Sequence, residues 1–423
     1  MKVLIRRILL ASLAVTMVVG VTAAPAVGAD VTLKMWSGGF VKEGQRAIRE
    51  VISEFEAANP GIKIDYTAWA WDKYRAQLAN TATLGDAPDL WVDSFLKRWK
   101  DAGITRDNAD LYAKLPPEEV AAYLQQTIEI QKASTGLLSF PFVGYVWAVG
   151  YNKEIFAERG IEPPTGPIRL DQLKELSKQL TFDRDGDGKI DVYGFALLGG
   201  RLSSHIFNMV FSKRGGQWVD LESNLIIDQH RDEFIEALVY MRELAEYTPG
   251  GATAAAGRTY NSTRALFAKE RVAMTVDHSE LCASVKALAP EVAKKCRMMQ
   301  VEFGFIALDG LIIGKTDHVD EAFEFVKFVT SRDKLVQLNQ ALGLVTPRTD
   351  VADHPLVSKN EVEVTLVEQL ALPVNAIHPG GLLTQYGELR PEVWNAVAEV
   401  LLGGDPGEAA DKAIKNMYNT FKK

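Results

Sequence analysis

Strand-like and helix-like segments alternate through residues 31–92, and this alternation constrains the fold of the chain more than any other feature. Apolar and polar residues alternate in the strand-like segments, whereas apolar residues recur every three or four positions in the helix-like ones. The pattern predicts strands over residues 31–36, 62–66 and 89–92 and helices around residues 48–55 and 73–83. A β-α-β-α-β order indicates an α/β fold with a mostly parallel sheet and ligands at the loops after the strands.

The rest of the chain predicts a second sheet and further helices. Its predicted strands are residues 137–142, 146–151 and 192–198, and its predicted helices are residues 170–180, 233–247, 321–330 and 392–402. The chain is longer than one hydrophobic core usually organises, so we expect two lobes.

The N-terminus has the pattern of a signal peptide. Lys2, Arg6 and Arg7 precede an apolar run at residues 8–21, and small residues suit cleavage after Ala29. No cysteine lies near this point. Residues 1–29 are therefore predicted to be a leader, and the mature protein is expected in the periplasm without a lipid anchor.

The mature chain is acidic. Three of the 47 Lys and Arg residues lie in the leader, which leaves 44 basic against 55 acidic residues and a net charge of −11. Without a cluster of basic residues, such a chain is a poor candidate for binding nucleic acid or anionic lipid. We expect its partner to be a small or neutral molecule.

An acidic loop at residues 183–191 matches the spacing of a calcium-binding loop. Gly186 stands at loop position 6, where calcium loops turn sharply. The predicted metal ligands are the carboxylates of Asp183, Asp185, Asp187 and Asp191 and the backbone carbonyl of Lys189. Position 12 is Gly194 instead of the glutamate of a calcium sensor, so we predict a structural Ca²⁺ ion. A solvated acidic turn without metal is the alternative.

Cys282 and Cys296 are the two cysteines of the chain. In an oxidising compartment they are predicted to form a disulfide. A cysteine-based metal site is the alternative, but no further ligands stand at suitable spacing.

Short motifs occur in a fixed order along residues 30–423. They are Leu-Lys-Met-Trp-Ser at 33–37, Gly-Asp-Ala-Pro-Asp at 85–89, Phe-Pro-Phe at 140–142, Tyr-Asn-Lys at 151–153, and longer segments at 266–274, 322–328 and 343–348. Together they resemble the extracellular solute-binding proteins of ATP-driven importers, in the sugar-binding branch that is similar to maltose-binding protein.

The resemblance implies a two-lobed fold of type II, in which hinge strands let the lobes close on a solute. It implies a monomeric, non-catalytic protein that passes a sugar or related solute to a membrane permease. It also implies crossings near residues 140–142, 276–278 and Thr330, a first lobe of residues 30–141 and 278–330 that contains the disulfide, and a second lobe of residues 142–277 and 331–423.

A carbohydrate site combines aromatic platforms with carboxylates, amides and arginines, because sugars present flat C–H faces and many hydroxyl groups. Such side chains follow the predicted strands or lie where the resemblance places the cleft. The candidate ligand-binding residues are Trp36, Ser37, Trp69, Trp71, Asp93, Ser94, Tyr145, Arg201, Trp218, Asp277, His278, Asp309, Arg348 and Trp394. The tryptophans have core positions as their alternative, Asp277 and His278 a hinge pair, and Arg348 a brace for its loop.

The chain departs from the family pattern after residues 273–274. A glycine followed by a tryptophan is common there, whereas this chain continues with Val276, Asp277 and His278. One expected stacking platform is therefore absent, and a non-sugar solute is an open alternative.

Two other functional classes are alternatives that the sequence does not favour. A secreted carbohydrate-active hydrolase would be expected to show a recognisable catalytic grouping, but the chain has neither a Gly-x-Ser-x-Gly nor a His-Glu-x-x-His motif. A calcium sensor would be expected to carry a second loop.

Overall fold

A computed structural model describes residues 31–40, 42–372 and 376–422. The predicted leader, residues 1–29, lies outside the described residues, as do the side chains of Trp71, Asp72 and Ile377. No helix in the described ranges combines the length and the apolar character needed to cross a membrane.

The predicted strands are present, and further strands follow them along the chain. They are β1 (Val31–Gly38), β2 (Ile62–Trp69), β3 (Leu90–Asp93), β4 (Ser139–Asn152), β5 (Tyr193–Ala196), β6 (Val272–Asp277), β7 (Cys296–Met299), β8 (Phe305–Ile313) and β9 (Ala376–Ile377). The sequence predicted two strands between residues 137 and 151, but the structure has one long strand, β4, with an irregular register between Pro141 and Val143.

Helices cover the sheet on both faces. They are α1 (Lys42–Ala58), α2 (Trp71–Leu84), α3 (Leu96–Asp101), α4 (Ala109–Tyr112), α5 (Pro117–Ala122), α6 (Gln125–Ser134), α7 (Lys153–Glu158), α8 (Leu170–Gln179), α9 (Ser203–Lys213), α10 (Arg231–Ala245), α11 (Gly251–Ala256), α12 (Tyr260–Ala268), α13 (Glu280–Leu288), α14 (Pro290–Ala293), α15 (Val319–Val329), α16 (Arg332–Leu342), α17 (Glu361–Ala371), α18 (Tyr386–Leu401) and α19 (Pro406–Phe421).

The sheet runs in the order β2-β1-β3-β8-β4-β6-β5. We call the part around β1–β3 the first lobe and the part around β5–β7 the second lobe. β1 pairs in parallel with β2 and β3, and β8 then lies antiparallel between β3 and β4. The carboxyl ends of β1, β2 and β3 therefore meet at one edge of the first lobe.

Strand β4 belongs to both lobes. Its residues 139–147 pair with β8, and its residues 148–152 pair with β6 and β7. Side chains alternate along a strand, so Trp147 and Val149 enter one hydrophobic cluster of the second lobe while Val146 and Ala148 enter another.

A close backbone approach marks a further connection between the lobes. Gly144 exchanges two backbone hydrogen bonds with Val345, at 2.9 and 3.0 Å. A Cβ atom on Gly144 would lie 2.7 Å from the Val345 carbonyl oxygen, so this position has no room for a side chain.

The packing differs from the predicted lobe boundaries in two segments. Helix α16 and Leu344 pack against α1 in the first-lobe core, because the apolar face of α16 includes Leu335, Leu338 and Leu342. The return from the second to the first lobe runs along β8, not at residues 276–278, and the last crossing lies near Val345, not near Thr330.

The predicted disulfide between Cys282 and Cys296 is present, with a Cα–Cα distance of 5.6 Å. It joins α13 to β7, and β7 pairs with the end of β4 while α13 lies beside α12. The disulfide therefore lies with the second lobe, whereas the sequence placed it in the first.

Candidate functional site

Two tryptophans meet where β1 and β2 end. The ring centroids of Trp36 and Trp69 are 5.1 Å apart, and both side chains are half-buried. The Trp69 indole Nε1 is buried and has no hydrogen-bond partner among the described residues. We call these residues the tryptophan pair. Ser37, next to them, is buried, and its hydroxyl lies 2.7 Å from the Tyr66 hydroxyl.

Asp93 ends β3 as a fully buried carboxylate. Arg75 from α2 donates to both of its oxygens, and the Trp99 indole donates to Oδ2 at 2.9 Å. The Ser94 backbone N–H donates to Oδ1 at 2.7 Å. Asp93 thus holds Arg75 beside the cleft edge of the first lobe.

A second buried carboxylate, Asp309, lies on β8 opposite Val143. Asp309 lies in the middle of this strand. Burial, together with the nearby negative charge of Asp93, raises the pKa of Asp309 to about 6. Hydrogen bonds from Ser94 and Tyr145 act in the opposite direction.

An aromatic cluster lies between the lobes. It consists of Tyr145, Trp147, His205, Tyr260, His278 and Phe305. The Trp147 indole donates to the Tyr260 hydroxyl at 2.7 Å, and its ring centroid lies 4.5 Å from that of His205. Burial lowers the pKa of His205 and of His278, so both rings are neutral at pH 7.

Asp277 directly precedes His278, which belongs to this cluster. Both Asp277 oxygens accept hydrogen bonds from Arg264 at 2.9 Å, and the His278 backbone N–H donates to one of them. The Asp277 carboxylate therefore orients Arg264 and the chain at His278. Contact of Asp277 or His278 with a ligand stays a prediction.

Three arginines approach the same region, and we call them the arginine group. They are Arg75 on α2, Arg201 in the 3₁₀ turn Gly200–Leu202, and Arg390 on α18. Burial lowers the pKa of Arg390, and the positive charges of Arg201 and Arg75 lower it further. His378 lies close enough for Arg390 and Arg75 to affect it, and burial is the main cause that lowers its pKa to about 3.

The lobes touch each other across this region. Phe95, which follows β3, packs against His378 and Tyr386 of the second lobe at centroid distances of 5.9 and 6.4 Å. At the rim, Arg98 lies 3.4 Å from Glu388. A cavity of about 60 Å³ remains beside Ser94 and His378.

The model of the bacterial extracellular solute-binding protein family matches residues 41–334. This chain belongs to that family.

Curated relatives match the solute-binding protein over part of their length. A putative periplasmic-binding protein of an ABC transporter, YcjN of Escherichia coli, is 22% identical over 231 residues, which cover 53% of this chain and 51% of the relative. An uncharacterized lipoprotein of Streptomyces antibioticus is 27% identical over 162 residues, or 37% and 35% of the two chains. The matches thus span about half of these relatives or less.

Solved structures share the fold of the solute-binding protein over nearly the whole chain. A Thermotoga lettingae solute-binding protein bound with α-D-tagatose has a TM-score of 0.70 at 20% identity and covers 92% of this chain and 99% of its own. The cyclic α-maltosyl-1,6-maltose binding protein of Arthrobacter globiformis has a TM-score of 0.72 at 17% identity, with 91% and 98% covered. The two-lobed α/β prediction is confirmed.

Some predicted ligand residues of the solute-binding protein lie in packed surroundings. Arg348 is 1% exposed and bonds Glu119 and Asp350. Trp218 is 4% exposed, and its indole donates to Asn208 at 2.7 Å. Both therefore have structural partners. Trp394 is half-buried, and the Arg390 guanidinium lies 5.5 Å from its ring centroid. The side chain of Trp71 lies outside the described residues.

The sequence reading missed several residues of the inter-lobe region. Trp147 stands two residues after Tyr145 on one strand, so the period of two could have placed both on the same face. His205, Tyr260 and Arg390 come from three helices far apart in sequence. Only the folded topology brings them together.

The acidic loop of the solute-binding protein lies between α8 and β5. Oxygens of Asp183, Asp185 and Asp187 lie within 4.8 Å of one another, a spacing that suits a divalent cation. Asp191 lies outside this group, and its carboxylate accepts from the Arg184 backbone N–H at 2.9 Å. The participation of Asp191 and of the Lys189 carbonyl stays a prediction.

Proposed function

We propose that this protein is the periplasmic binding component of an ABC importer, that it captures a carbohydrate-like solute between its lobes, and that it delivers the solute to a membrane permease. The observation that carries the proposal is the aromatic cluster between the lobes, together with the tryptophan pair at the carboxyl ends of β1 and β2 and the buried carboxylates of Asp93 and Asp309. Aromatic rings suit the C–H faces of a sugar, and Arg75 and Ser94 supply donors near its hydroxyl groups. Solved relatives with bound saccharides support the same reading.

Closure is part of the proposal. The cavity beside Ser94 and His378 measures about 60 Å³, whereas ligand pockets usually span roughly 300–1,000 Å³. A solute would therefore enter while the lobes are further apart and be enclosed by rotation about β4 and β8.

The test is a calorimetric screen of mono- and oligosaccharides, followed by small-angle scattering with the best binder. We expect saturable binding, no reaction product, and a smaller radius of gyration with ligand. Tight binding without compaction would argue against the transport mechanism, and sugar turnover would favour the hydrolase alternative.

Replacing Trp69 by alanine should weaken binding of the identified sugar by about tenfold, because a stacking aromatic contact contributes on the order of 1 kcal/mol beyond its burial. Calorimetry measures the change. Trp99→Phe is the matched control: Trp99 is 1% exposed beneath Asp93, so its change should act mainly on stability. Equal affinity of Trp69→Ala and the wild type for the sugar would show that the tryptophan pair is not part of the binding site.

We further propose that Asp183, Asp185 and Asp187 hold a structural Ca²⁺ ion. Saturating Ca²⁺ should stabilise the fold by about 2–3 kcal/mol, as expected at a ligand concentration near one hundred times Kd. Chelation should therefore lower the Tm and leave sugar affinity within twofold.

The control for the calcium proposal is Asp185→Asn. We expect this variant to melt at the temperature of the chelated wild type and to show no response to Ca²⁺. An unchanged Tm of the wild type on chelation would contradict the site.

The location and assembly of the protein belong to the proposal. We propose that it is released by cleavage after Ala29 and works as a monomer without a lipid anchor. Mass spectrometry of the protein from its native host would test this, since an N-terminal residue other than Asp30 or a lipid adduct would contradict it.

A further inference from the structure

Arg390 is a half-buried cation without a counter-ion among the described residues. Its Nε atom is fully buried without a hydrogen-bond partner among the described residues. Its guanidinium lies 5.6 and 5.5 Å from the ring centroids of Tyr386 and Trp394. Within the described ranges, no carboxylate oxygen lies within 4.0 Å of its guanidinium. A partly buried charge carries a free-energy cost of desolvation, which a nearby anion would offset.

Two buried arginines of this fold have carboxylate partners, whereas a third, Arg258, donates to the Pro249 carbonyl instead. Arg264 is paired with Asp277, and Arg348 with Glu119 and Asp350. Arg75, on the facing lobe, is paired with Asp93. Arg390 therefore differs from Arg75, Arg264 and Arg348 in having no carboxylate partner among the described residues.

Arg201 adds a second positive charge beside Arg390. The turn that carries Arg201 packs against α18, and its charge lowers the pKa of Arg390. Arg201 is exposed, and no ion pair forms between it and a carboxylate in the part of the chain that the structure describes. Two positive charges on elements that pack together, neither paired with a described carboxylate, would suit an anion.

His378 supplies a neutral donor on the same side. Its Nδ1 accepts a hydrogen bond from the Gly380 backbone N–H at 3.1 Å. The proton of the neutral ring therefore lies on Nε2, which is able to donate. His378 contacts Phe95, whose ring Arg75 covers, and Tyr386, whose ring Arg390 covers, so it lies between the arginines of the two lobes.

We propose that the captured solute is acidic and that its carboxylate or phosphate group binds between Arg201 and Arg390, with His378 as an additional donor. This inference rests on the proposed function, because it assigns a charge to the solute held in the same cleft. Closure would remove water from the group, and charge-assisted bonds from the two guanidinium groups would then strengthen. The tryptophan pair and the aromatic cluster would hold the uncharged part.

The test compares matched probes by calorimetry and thermal shift. The probes are D-glucose, D-glucuronate, D-glucose 6-phosphate and inorganic phosphate. We expect at least one acidic probe to bind the wild type, and D-glucose to bind at least about tenfold more weakly than that probe. Comparison of the glucuronate and phosphate arms distinguishes the two kinds of anion.

Substitutions of the arginines test where the anionic group of the probe binds. Arg390→Gln and Arg201→Gln should each weaken the acidic probe by about tenfold or more, and Arg390→Lys should keep part of the affinity because it keeps the charge. Arg214→Gln is the matched control, since Arg214 is paired on the surface with Glu236. We expect its affinity to stay within twofold.

Unaltered folding of each variant is checked by its melting curve without probe, where Arg390→Gln should be at least as stable as the wild type. The inference is overturned if no acidic probe binds, or if Arg390→Gln and Arg390→Lys both bind it as the wild type does. A neutral sugar that compacts the protein and binds equally well to Arg390→Gln would overturn the acidic solute alone and leave the proposed function standing.

Discussion

Replacing Arg348 by alanine is expected to lower the free energy of unfolding by about 3 kcal/mol and to leave solute affinity unchanged. The Arg348 guanidinium donates to Glu119, Asp350 and the Thr330 carbonyl, and its side chain is 1% exposed. Its loss removes these bonds and opens a gap beside Tyr123. Urea unfolding measures the stability change.

The control for this prediction is Arg332→Ala. Arg332 also contacts a carboxylate, that of Asp353, but it lies at the surface, so its loss should cost less than about 1 kcal/mol. If Arg348→Ala instead abolished solute binding at unchanged stability, Arg348 would be a ligand residue, as the sequence reading proposed.

Replacing Asp309 by asparagine should stabilise the protein at pH 8 by up to about 3 kcal/mol, because one pKa unit corresponds to about 1.4 kcal/mol. The pKa of Asp309 in the fold is about 6, above its usual value of 3.8. A raised pKa means that the stabilising contribution of the protonated group is full below pH 3.8 and is lost as the pH rises through about 6. The gain from asparagine should therefore be small at pH 4 and full at pH 8.

Urea titrations of the wild type and of Asp309→Asn at both pH values test this. Asp65→Asn, an exposed strand aspartate, is the control and should show little change. A variant that is destabilised equally at pH 4 and pH 8 would contradict the burial argument. A loss of solute affinity at pH 8 would additionally place Asp309 in contact with the ligand.

The parts of the fold that the sequence predicted well are those encoded locally. The helical spacing around residues 48–55 lies within α1, and the alternation of residues 31–36 lies within β1. The disulfide was also predictable, since two cysteines in an oxidising compartment leave one pairing. Family motifs then extended these local signals to the two-lobed fold.

The lobe boundaries and much of the inter-lobe region depend on packing between distant segments. Helix α16 follows a predicted crossing in sequence, yet its apolar face is buried against α1. Likewise, Arg348 and Arg390 both lie in the C-terminal part of the chain. Their neighbours in the sequence do not reveal that Arg348 has carboxylate partners and that Arg390 has none among the described residues. Those differences arise from tertiary surroundings, which a single sequence does not display.

The position of β8 in the sheet also sets the order in which the chain can fold. Strand β8 lies between β3 and β4 in the sheet. Val92 of β3 therefore cannot pair until Leu311 of β8 is available. During synthesis, the N-terminal segments would therefore remain incomplete until the chain beyond residue 313 has emerged. The interleaved topology therefore makes completion of the first lobe a late event, which depends on segments made after most of the second lobe.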